Sequence, residues 1–432
     1  MSKMLWCVPT ALAAAERPDV PGDRLAPDAW RRLAACTAAA ALLQLDGTLA
    51  TVALPAVARS LHVSAGSTAI VLSGYFAAYA TTLLPGGMLV DARGPKRVAL
   101  AGLVVFGIGA AAAAIAPSFP ALIGCRLLQG IGAGLLSPAA LAGAVSGFPP
   151  RLRGSALGIW GASAGVANLI GPPLGGLLTV LWGWRSVWWA ALALSLAAVW
   201  AICLELPSAV RSALPPAQLA VWRNRVVLAA AVAAAVTFAV MIGCFYLAEQ
   251  YLQRSAGYSA LGASMVLVLV ALIVAGAAPA AGRLSDRRGE RPVAVCGFGF
   301  CAVGLAALGL PLLSPRAPIA VAPLVVLGLG LGLLFVPTSR AALNAVPATL
   351  HGRTSATLSI GRLLGAAVGA GLAGIALHAG GVEAKTVHHA MLVACGLCLT
   401  VGVAAATALG GTTSRAGISG RPAAEHQKPS AG

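Results

Sequence analysis

Long apolar stretches alternate with short polar segments along almost the whole chain. Each stretch holds roughly 20–28 residues, and at 1.5 Å per residue about 20 helical residues cross a hydrocarbon core of roughly 30 Å. The stretches are continuous rather than alternating, which favours helices over the strands of a membrane barrel. The pattern predicts twelve spans, at residues 33–57, 67–89, 97–116, 119–146, 153–181, 186–205, 226–250, 259–281, 293–313, 318–338, 355–378 and 389–409.

Composition supports a protein that lies in a membrane. Hydrophobic residues make up 59% of the 432 residues and charged residues only 9%, and the mean hydropathy is +0.88. A soluble domain carries about 25% charged residues, because it needs a polar surface. The sequence therefore predicts an all-α polytopic membrane protein.

The formal net charge of +17 raises the question of a nucleic-acid partner. With the N-terminus in the cytoplasm, 22 of the 29 lysines and arginines lie on the cytoplasmic side, 5 lie on the other side and 2 lie within spans. This alternation follows the positive-inside rule, whereas a nucleic-acid surface would cluster basic residues on one domain. We expect a multi-pass protein of the cytoplasmic membrane, with both termini in the cytoplasm and no nucleic-acid partner.

Two sequence patterns recur between the halves of the chain. Residues 87–94 (GMLVDARG) return as residues 282–289 (GRLSDRRG), at an offset of 195. Residues 130–136 (GIGAGLL) return as residues 328–334 (GLGLGLL), at an offset of 198. Parallel repeats of this size are the plan of major facilitator transporters, whose substrate site lies near the midplane between the halves. We therefore predict a major facilitator fold of two six-helix bundles related by pseudo-two-fold symmetry.

The spans and the polar segments between them also predict the domain boundaries. The segment between the sixth and seventh spans holds prolines and arginines, as expected of a linker. The predicted domains are a cytoplasmic N-terminal tail (1–32), an N-terminal bundle (33–205), a cytoplasmic linker (206–225), a C-terminal bundle (226–409) and a cytoplasmic C-terminal tail (410–432).

Charges within the predicted spans are few, and each costs roughly 2.5–3.5 kcal/mol at the bilayer centre on insertion scales. Asp46 lies roughly 20 Å from the inner face and Arg126 roughly 10 Å from the outer face, at 1.5 Å per residue. In a core of about 30 Å these depths nearly coincide, so the two side chains can face each other. The pair indicates a proton carrier whose charge Arg126 balances; the alternative is a purely structural ion pair.

Three more polar side chains are candidates for the transport path. Gln129 follows Arg126 by three residues in the fourth span. Arg362 lies roughly 10 Å into the eleventh span, where an anionic substrate, a carbonyl, a helix end or a structural role would each explain it. Glu249 lies near the outer end of the seventh span, where an interfacial position is favoured over substrate binding.

The fifth span contains Gly171-Pro172-Pro-Leu-Gly175-Gly176. Small residues four apart let helices approach closely, and proline interrupts the helical hydrogen bonds. These residues predict a hinge or a close helix contact that governs which side opens. No catalytic, metal-binding or nucleotide-binding constellation occurs in the sequence, so we predict neither an enzyme nor a cofactor.

Four motifs resemble those of one branch of the major facilitator superfamily, the drug:proton antiporters. Residues 45–55 (LDGTLATVALP) resemble its first-span signature, and residues 87–97 resemble the superfamily loop between spans two and three. Residues 126–132 (RLLQGIG) are similar to its fourth-span proton-coupling motif. Residues 171–176 (GPPLGG) resemble the fifth-span motif of antiporters. The resemblance implies that Asp46 is the protonation site and Arg126 its coupling partner.

The resemblance has two departures. Members of this branch usually have fourteen spans, whereas residues 206–225 leave room only for a linker, so the chain resembles a twelve-span form. In the loop signature, Asp91 and Asp286 can meet helix N-termini or arginines at the cytoplasmic face, and we call this contact the latch. Ala92 and Pro95 stand where the family usually has basic residues, which predicts a weaker latch in the first half. The predicted gating and latch residues are Gly87, Asp91, Gly94, Arg97, Gly171, Pro172, Gly175, Gly176, Gly282, Asp286, Arg287, Gly289 and Arg291.

Taken together, the motifs and the intramembrane charges favour a proton-coupled antiporter that exports an antibiotic, a toxic compound or a natural product. The expected partners are a small-molecule substrate, protons and the lipid bilayer, and the expected state is a monomer driven by the proton gradient. Two alternatives stay open: a proton-coupled uptake permease for a small metabolite, and a non-transporting sensor with the same fold.

Overall fold

The computed structural model describes residues 28–149, 152–208, 223–309, 321–347 and 350–409. Twelve helical segments in these ranges are long and apolar enough to cross a membrane, and no strand occurs among the described residues. The prediction of an all-α polytopic membrane protein is confirmed. The helices are α1 (Ala29–Ser60), α2 (Ala69–Arg93), α3 (Pro95–Ala114), α4 (Phe119–Val145), α5 (Arg153–Trp182), α6 (Ser186–Glu205), α7 (Arg225–Arg254), α8 (Ala260–Arg288), α9 (Glu290–Leu308), α10 (Val321–Asn344), α11 (His351–Gly380), α12 (Ala384–Leu397) and α13 (Val403–Ala408).

The predicted tails and linker lie wholly or mostly outside the described residues, which exclude 1–27, 209–222 and 410–432. The domain boundaries drawn at these segments therefore stay predictions.

The twelfth span, predicted at residues 389–409, is not one regular α-helix. Residues Cys398–Gly402 form a π-helical segment between α12 and α13, and the three pieces make one span from Ala384 to Ala408. A π-helical turn accommodates one extra residue within a helix. Apolar composition is the same in α and π turns, so the sequence pattern did not indicate it.

Two glycines end α2 and α8 in the same way. Gly94 has φ of 82° and Gly289 has φ of 83°, a region that glycine enters without steric cost. Each backbone N–H donates to a carbonyl four residues earlier, on Val90 and on Ser285, at 2.9 Å. The next helix begins at once in both places, so the repeated loop pattern corresponds to a repeated tight turn.

The helices group into two compact units. The first unit contains α1, α2 from Ile70, α3 to α6, and Tyr258–Val268 at the start of α8. Within it α1 packs against α4, α5 and α6, and α3 packs against α4 and α6. The second unit contains Ala65–Ala69, α7, the rest of α8, and α9 to α13. Within it α7 packs along α11, and α9 packs along α10.

The α7–α11 contact of the second unit depends on glycines spaced by four residues. A Cβ on Gly361 would lie 2.5 Å from the carbonyl oxygen of Ala231. A Cβ on Gly365 would lie 2.0 Å from the carbonyl oxygen of Ala235, and a Cβ on Gly369 would lie 2.1 Å from that of Ala239. The contacts thus recur every four residues on both helices. We call these three glycines and the alanine carbonyls opposite them the glycine seam. The seam lets the two backbones touch, as small residues do in membrane helix pairs.

We predict that Gly365→Ala destabilises the second unit. The new methyl group meets the Ala235 carbonyl, and such overpacking typically costs about 1–3 kcal/mol. Thermal unfolding of the purified protein in detergent should therefore begin several degrees lower. Gly371→Ala is the matched control, because a Cβ on Gly371 in the same helix meets no atom within 4 Å. Equal unfolding temperatures for the two variants would contradict the role of the seam.

Candidate functional site

Asp46 of α1 and Arg126 of α4 meet inside the first unit, and both side chains are fully buried. Arg126 Nη1 donates to Asp46 Oδ2 at 2.6 Å. Gln129, one turn further along α4, joins them: its Oε1 accepts from Arg126 Nη1 at 2.9 Å, and its Nε2 donates to Asp46 Oδ1 at 3.4 Å. The structure thus brings together three residues that the sequence singled out by depth and spacing.

Helix α2 supplies the rest of the site, which the sequence did not indicate. Arg126 Nε donates to the backbone carbonyl of Val71 at 3.2 Å. The guanidinium carbon of Arg126 lies 4.3 Å from the ring centroid of Tyr75, a cation–π contact. The Tyr75 hydroxyl in turn donates to the Leu43 carbonyl on α1 at 3.1 Å, one turn before Asp46. Tyr75 therefore fixes both the arginine and the helix that carries the acid.

The charges at this site depend on each other. Two buried ions lose their hydration, and their attraction compensates only when the geometry is good. Removing one partner typically costs about 3–5 kcal/mol, because the other charge is left uncompensated. Arg126 keeps Nη2 as a spare donor, since this atom has no hydrogen-bond partner among the described residues. The arrangement can hold Asp46 charged, and it can rearrange around the arginine when Asp46 takes up a proton.

Helix α5 approaches α1 next to this site. A Cβ on Gly171 would lie 2.7 Å from Thr48 Cβ, and a Cβ on Gly175 would lie 3.1 Å from the Leu49 backbone. Pro172 is buried between them and lies within the continuous helix α5. The predicted alternatives were a hinge and a close helix contact, and the structure places a close contact here.

Gly176 belongs to the same stretch of α5 but faces a different helix. A Cβ on Gly176 would lie 2.8 Å from Leu261 Cα and 2.6 Å from Ser264 Oγ. Both residues are part of the first unit. The glycine-rich stretch thus serves two helix contacts at once.

Arg362 of α11 lies half-buried in the second unit. Its Nη2 donates to Ser339 Oγ at 2.9 Å, and its guanidinium carbon lies 5.8 Å from the ring centroid of Phe238. Phe238 makes an edge-to-face contact with Phe335, with centroids 5.7 Å apart. No described acid forms an ion pair with Arg362, so its positive charge lies beside the Phe238 ring without a counter-ion among the described residues.

Glu249 of α7 is placed differently from the sequence expectation. An interfacial position was favoured because the residue is near a helix end, but its side chain is fully buried in protein. Gln253, one turn later, donates to Glu249 Oε2 at 2.7 Å. Glu249 lies near the end of α7 as expected, but other parts of the protein cover its carboxyl group.

The loop signature of the second half makes an ionic latch with α10. Asp286 Oδ1 lies 2.5 Å from Arg340 Nη1, and Arg340 Nη1 also approaches the Gly282 carbonyl at 3.4 Å. Glu290 Oε1 lies 3.8 Å from Arg340 Nε and accepts from Asn344 Nδ2 at 3.0 Å. The ion-pair partner of Asp286 is thus Arg340, which sequence reasoning had not identified.

Arg287 and Arg291 of the same signature are exposed and take no part in these contacts.

The first-half signature makes no such latch among the described residues. The Asp91 and Arg97 side chains are both exposed and form no hydrogen bond or ion pair with the described part of the chain, and a Cβ on Gly87 would meet no atom within 4 Å. At the offset of 198 residues, the position equivalent to Arg340 is Ala142. The first half therefore lacks the arginine that its aspartate would need.

Comparison with known proteins identifies similar chains. The family model described as Major Facilitator Superfamily matches residues 36–370 and 275–430. Multidrug resistance protein Stp of Mycobacterium tuberculosis is 28% identical over 400 residues, which cover 78% of this chain and 74% of that protein. The puromycin resistance protein pur8 of Streptomyces alboniger is 38% identical over 179 residues, which cover 41% of this chain.

Some of these matches span only part of the relative. The matched segment covers 34% of the puromycin resistance protein and 27% of an uncharacterized MFS-type transporter of Mycobacterium tuberculosis, which is 37% identical over 158 residues. Among solved structures, a bacterial homologue of the human lysosomal transporter Spinster, inward-facing and unoccupied, has a TM-score of 0.74 at 17% identity. That likeness covers 89% of this chain and 97% of the other, and it shows the same fold.

We predict that Arg340→Gln loosens the α8–α9 turn. The partners are partly exposed, and such ion pairs contribute about 0–1 kcal/mol, so hydrogen exchange of the backbone amides at residues 285–291 should accelerate by up to about fivefold. Asp286→Asn should give a similar acceleration, and the double variant should add little to either, because both remove one interaction.

The matched control for the latch is Asp91→Asn in the first half. Asp91 has no described partner, so exchange at residues 90–97 should stay unchanged. Unchanged exchange at residues 285–291 in both Arg340→Gln and Asp286→Asn would contradict the latch.

Proposed function

Because the chain belongs to the Major Facilitator Superfamily, we propose that it is a proton-coupled exporter of small molecules that works by alternating access. The observation that carries this proposal is the buried contact between Asp46 and Arg126. Protonation of Asp46 would remove the charge that balances Arg126, so uptake of a proton changes the free energy of this buried contact. The proton gradient then drives the cycle, with no bound cofactor.

The coupling follows from the change of charge at Asp46. While Asp46 is ionised, its negative charge balances the positive charge of Arg126, and a charge-assisted hydrogen bond between them holds α1 and α4 together. When Asp46 gains a proton, Arg126 keeps its charge and must find compensation from Gln129, the Val71 carbonyl and the Tyr75 ring. The free energy of the packed α1–α4 contact therefore differs between ionised and protonated Asp46. Substrate that binds one state better is moved in exchange for the proton.

Two features support outward transport of drug-like compounds. The relatives include proteins named for multidrug resistance and puromycin resistance. The stretch Gly171–Gly176 packs α5 against α1 directly beside Asp46, so movement of α5 is sensitive to the protonation of α1. Arg362, with Phe238 and Phe335 beside it, is our candidate for a substrate contact in the second unit. We place both termini in the cytoplasm, as the basic residues suggest.

We predict that Asp46→Asn abolishes proton-driven transport and leaves the protein folded. Asparagine keeps the size of aspartate and resembles its neutral form, so proton uptake no longer changes the charge at the site. In everted membrane vesicles with an acidic interior, accumulation of a substrate found by a susceptibility panel should fall about tenfold or more, which corresponds to about 1.4 kcal/mol. Size-exclusion chromatography verifies folding.

Glu383→Gln is the matched control, because it makes the same kind of change, from a carboxylate to an amide, at an exposed site outside the candidate residues. It should transport like the unaltered protein. Full accumulation by Asp46→Asn would contradict the coupling role. Accumulation only in right-side-out vesicles would indicate uptake instead of export, and no flux with any compound would indicate a sensor.

A further inference from the structure

A second buried acid lies in the second unit and has no counter-ion. The Glu249 side chain on α7 is fully buried. Its Oε2 accepts one hydrogen bond, from Gln253, and its Oε1 is buried without a hydrogen-bond partner in the described part of the chain. Asp46 differs in both respects, because an arginine and a glutamine occupy its two oxygens. The two buried acids therefore have different electrostatic surroundings.

No described basic residue compensates Glu249. The elements that pack on α7 are α10, α11, α12, the π-helical segment and α13, and the short helix Gly66–Thr68 also bonds to it. None of the described ionisable side chains on these elements or on α7 pairs with Glu249. They are Arg225, Cys244, Tyr246, Tyr251 and Arg254 on α7, Arg340 on α10, Arg353, Arg362 and His378 on α11, Lys385, His388, His389 and Cys395 on α12, and Cys398 in the π-helical segment.

The burial determines the charge that Glu249 can carry in this conformation. An ionised carboxylate in a protein interior costs several kcal/mol unless it is paired and well hydrogen-bonded. One amide N–H does not meet that requirement. A neutral carboxylic acid avoids most of this cost, and its O–H supplies a donor for a nearby acceptor. The buried Gln250 Oε1 also lacks a partner in the described residues, so this part of α7 has more acceptors than donors.

The same face of α7 holds the short helix Gly66–Thr68. The Tyr246 hydroxyl bonds to the Ala65 carbonyl and to Thr68 Oγ1, the latter at 2.9 Å, and Gln250 Nε2 donates to Thr68 Oγ1 at 3.1 Å. Residues three apart share a helix face, so Glu249 lies on the face of α7 that Tyr246 presents, and Gln250 is the next residue along the helix. The buried carboxyl therefore lies within one helical turn of the two side chains that hold the short helix.

We propose that Glu249 is a second proton-binding group, which is protonated while the short helix Gly66–Thr68 is attached to α7 and ionises when that contact opens. Opening lets water reach the carboxyl, the O–H bond breaks, and the proton passes to water while the negative charge stays on Glu249. Its use in transport rests on the proposed function. The protonation itself does not, and it can be measured without any flux.

The test follows the carbonyl-stretch band of protonated carboxylic acids by infrared spectroscopy, on the purified full-length protein titrated with alkali. The unaltered protein should show a buried-acid band at neutral pH that disappears reversibly at higher pH. Glu249→Gln should lack this band and Glu249→Asp should retain it at a shifted frequency. Glu383→Gln, which alters an exposed acid, should leave it unchanged. A band of full intensity in Glu249→Gln, or one that persists at every pH, would overturn the proposal.

The link to the short helix has its own matched pair of variants. Thr68→Val removes the hydrogen bonds to Tyr246 and Gln250, so the contact opens more easily and the midpoint should shift down by about 0.5–1 pH unit. Thr400→Val is the control, since the Thr400 hydroxyl is exposed and bonds only to the Gly396 carbonyl of its own helix. An unshifted midpoint in Thr68→Val would overturn the link.

Vesicle transport then shows whether the cycle uses this proton. Glu249→Gln should retain substrate exchange at equal pH and lose about tenfold or more of the accumulation driven by a pH gradient. Accumulation equal to that of the unaltered protein would overturn a role in coupling. Absence of flux in every variant, including the unaltered protein, would contradict the proposed function, and the infrared titration would still decide the protonation of Glu249.

Discussion

A charge that enters a hydrocarbon core must be paired, neutralised or kept in reach of polar groups, and this constraint accounts for the surroundings of the four acidic and basic side chains that the structure places among the candidate site residues of the bundles. Asp46 and Arg126 satisfy it by pairing with each other. Glu249 satisfies it by losing its charge, since only an amide N–H approaches it. Arg362 cannot lose its charge, so it stays half-buried beside a hydroxyl and aromatic rings. The same constraint is therefore met in three ways: by an ion pair, by a neutral acid and by a half-buried cation.

The sequence predicted the features that depend on distance along a helix. Apolar length placed the twelve spans, since each needs about 20 residues to cross the bilayer. Counting residues placed Asp46 and Arg126 at the same depth, and Gln129 follows Arg126 by nearly one turn. Gly94 and Gly289 occupy equivalent positions of the repeated loop pattern, and both adopt the positive φ that glycine favours. All of these features depend on local backbone geometry, which follows from residue types and their spacing along the sequence.

Features that depend on which helices become neighbours could not be predicted in this way. Arg340 lies 54 residues from Asp286, and several other basic residues at the same end were equally plausible partners. Glu249 lies at the expected depth, but depth does not reveal whether lipid or protein covers a side chain. The π-helical segment Cys398–Gly402 has the composition of an ordinary span. In each case the missing information is tertiary, because it concerns contacts between segments distant in the chain.

The glycine seam has a mechanical consequence for how the second unit can change shape. Backbone atoms of α7 and α11 meet along three successive turns. The two helices therefore cannot roll or slide past each other without collision, and they move as one rigid pair. Glu249 on one helix and Arg362 on the other are therefore carried together, at a fixed separation, through any rearrangement of the remaining helices. Under the proposed function, we expect substitutions in this helix pair that alter substrate range to lie on the faces that point away from the glycine seam.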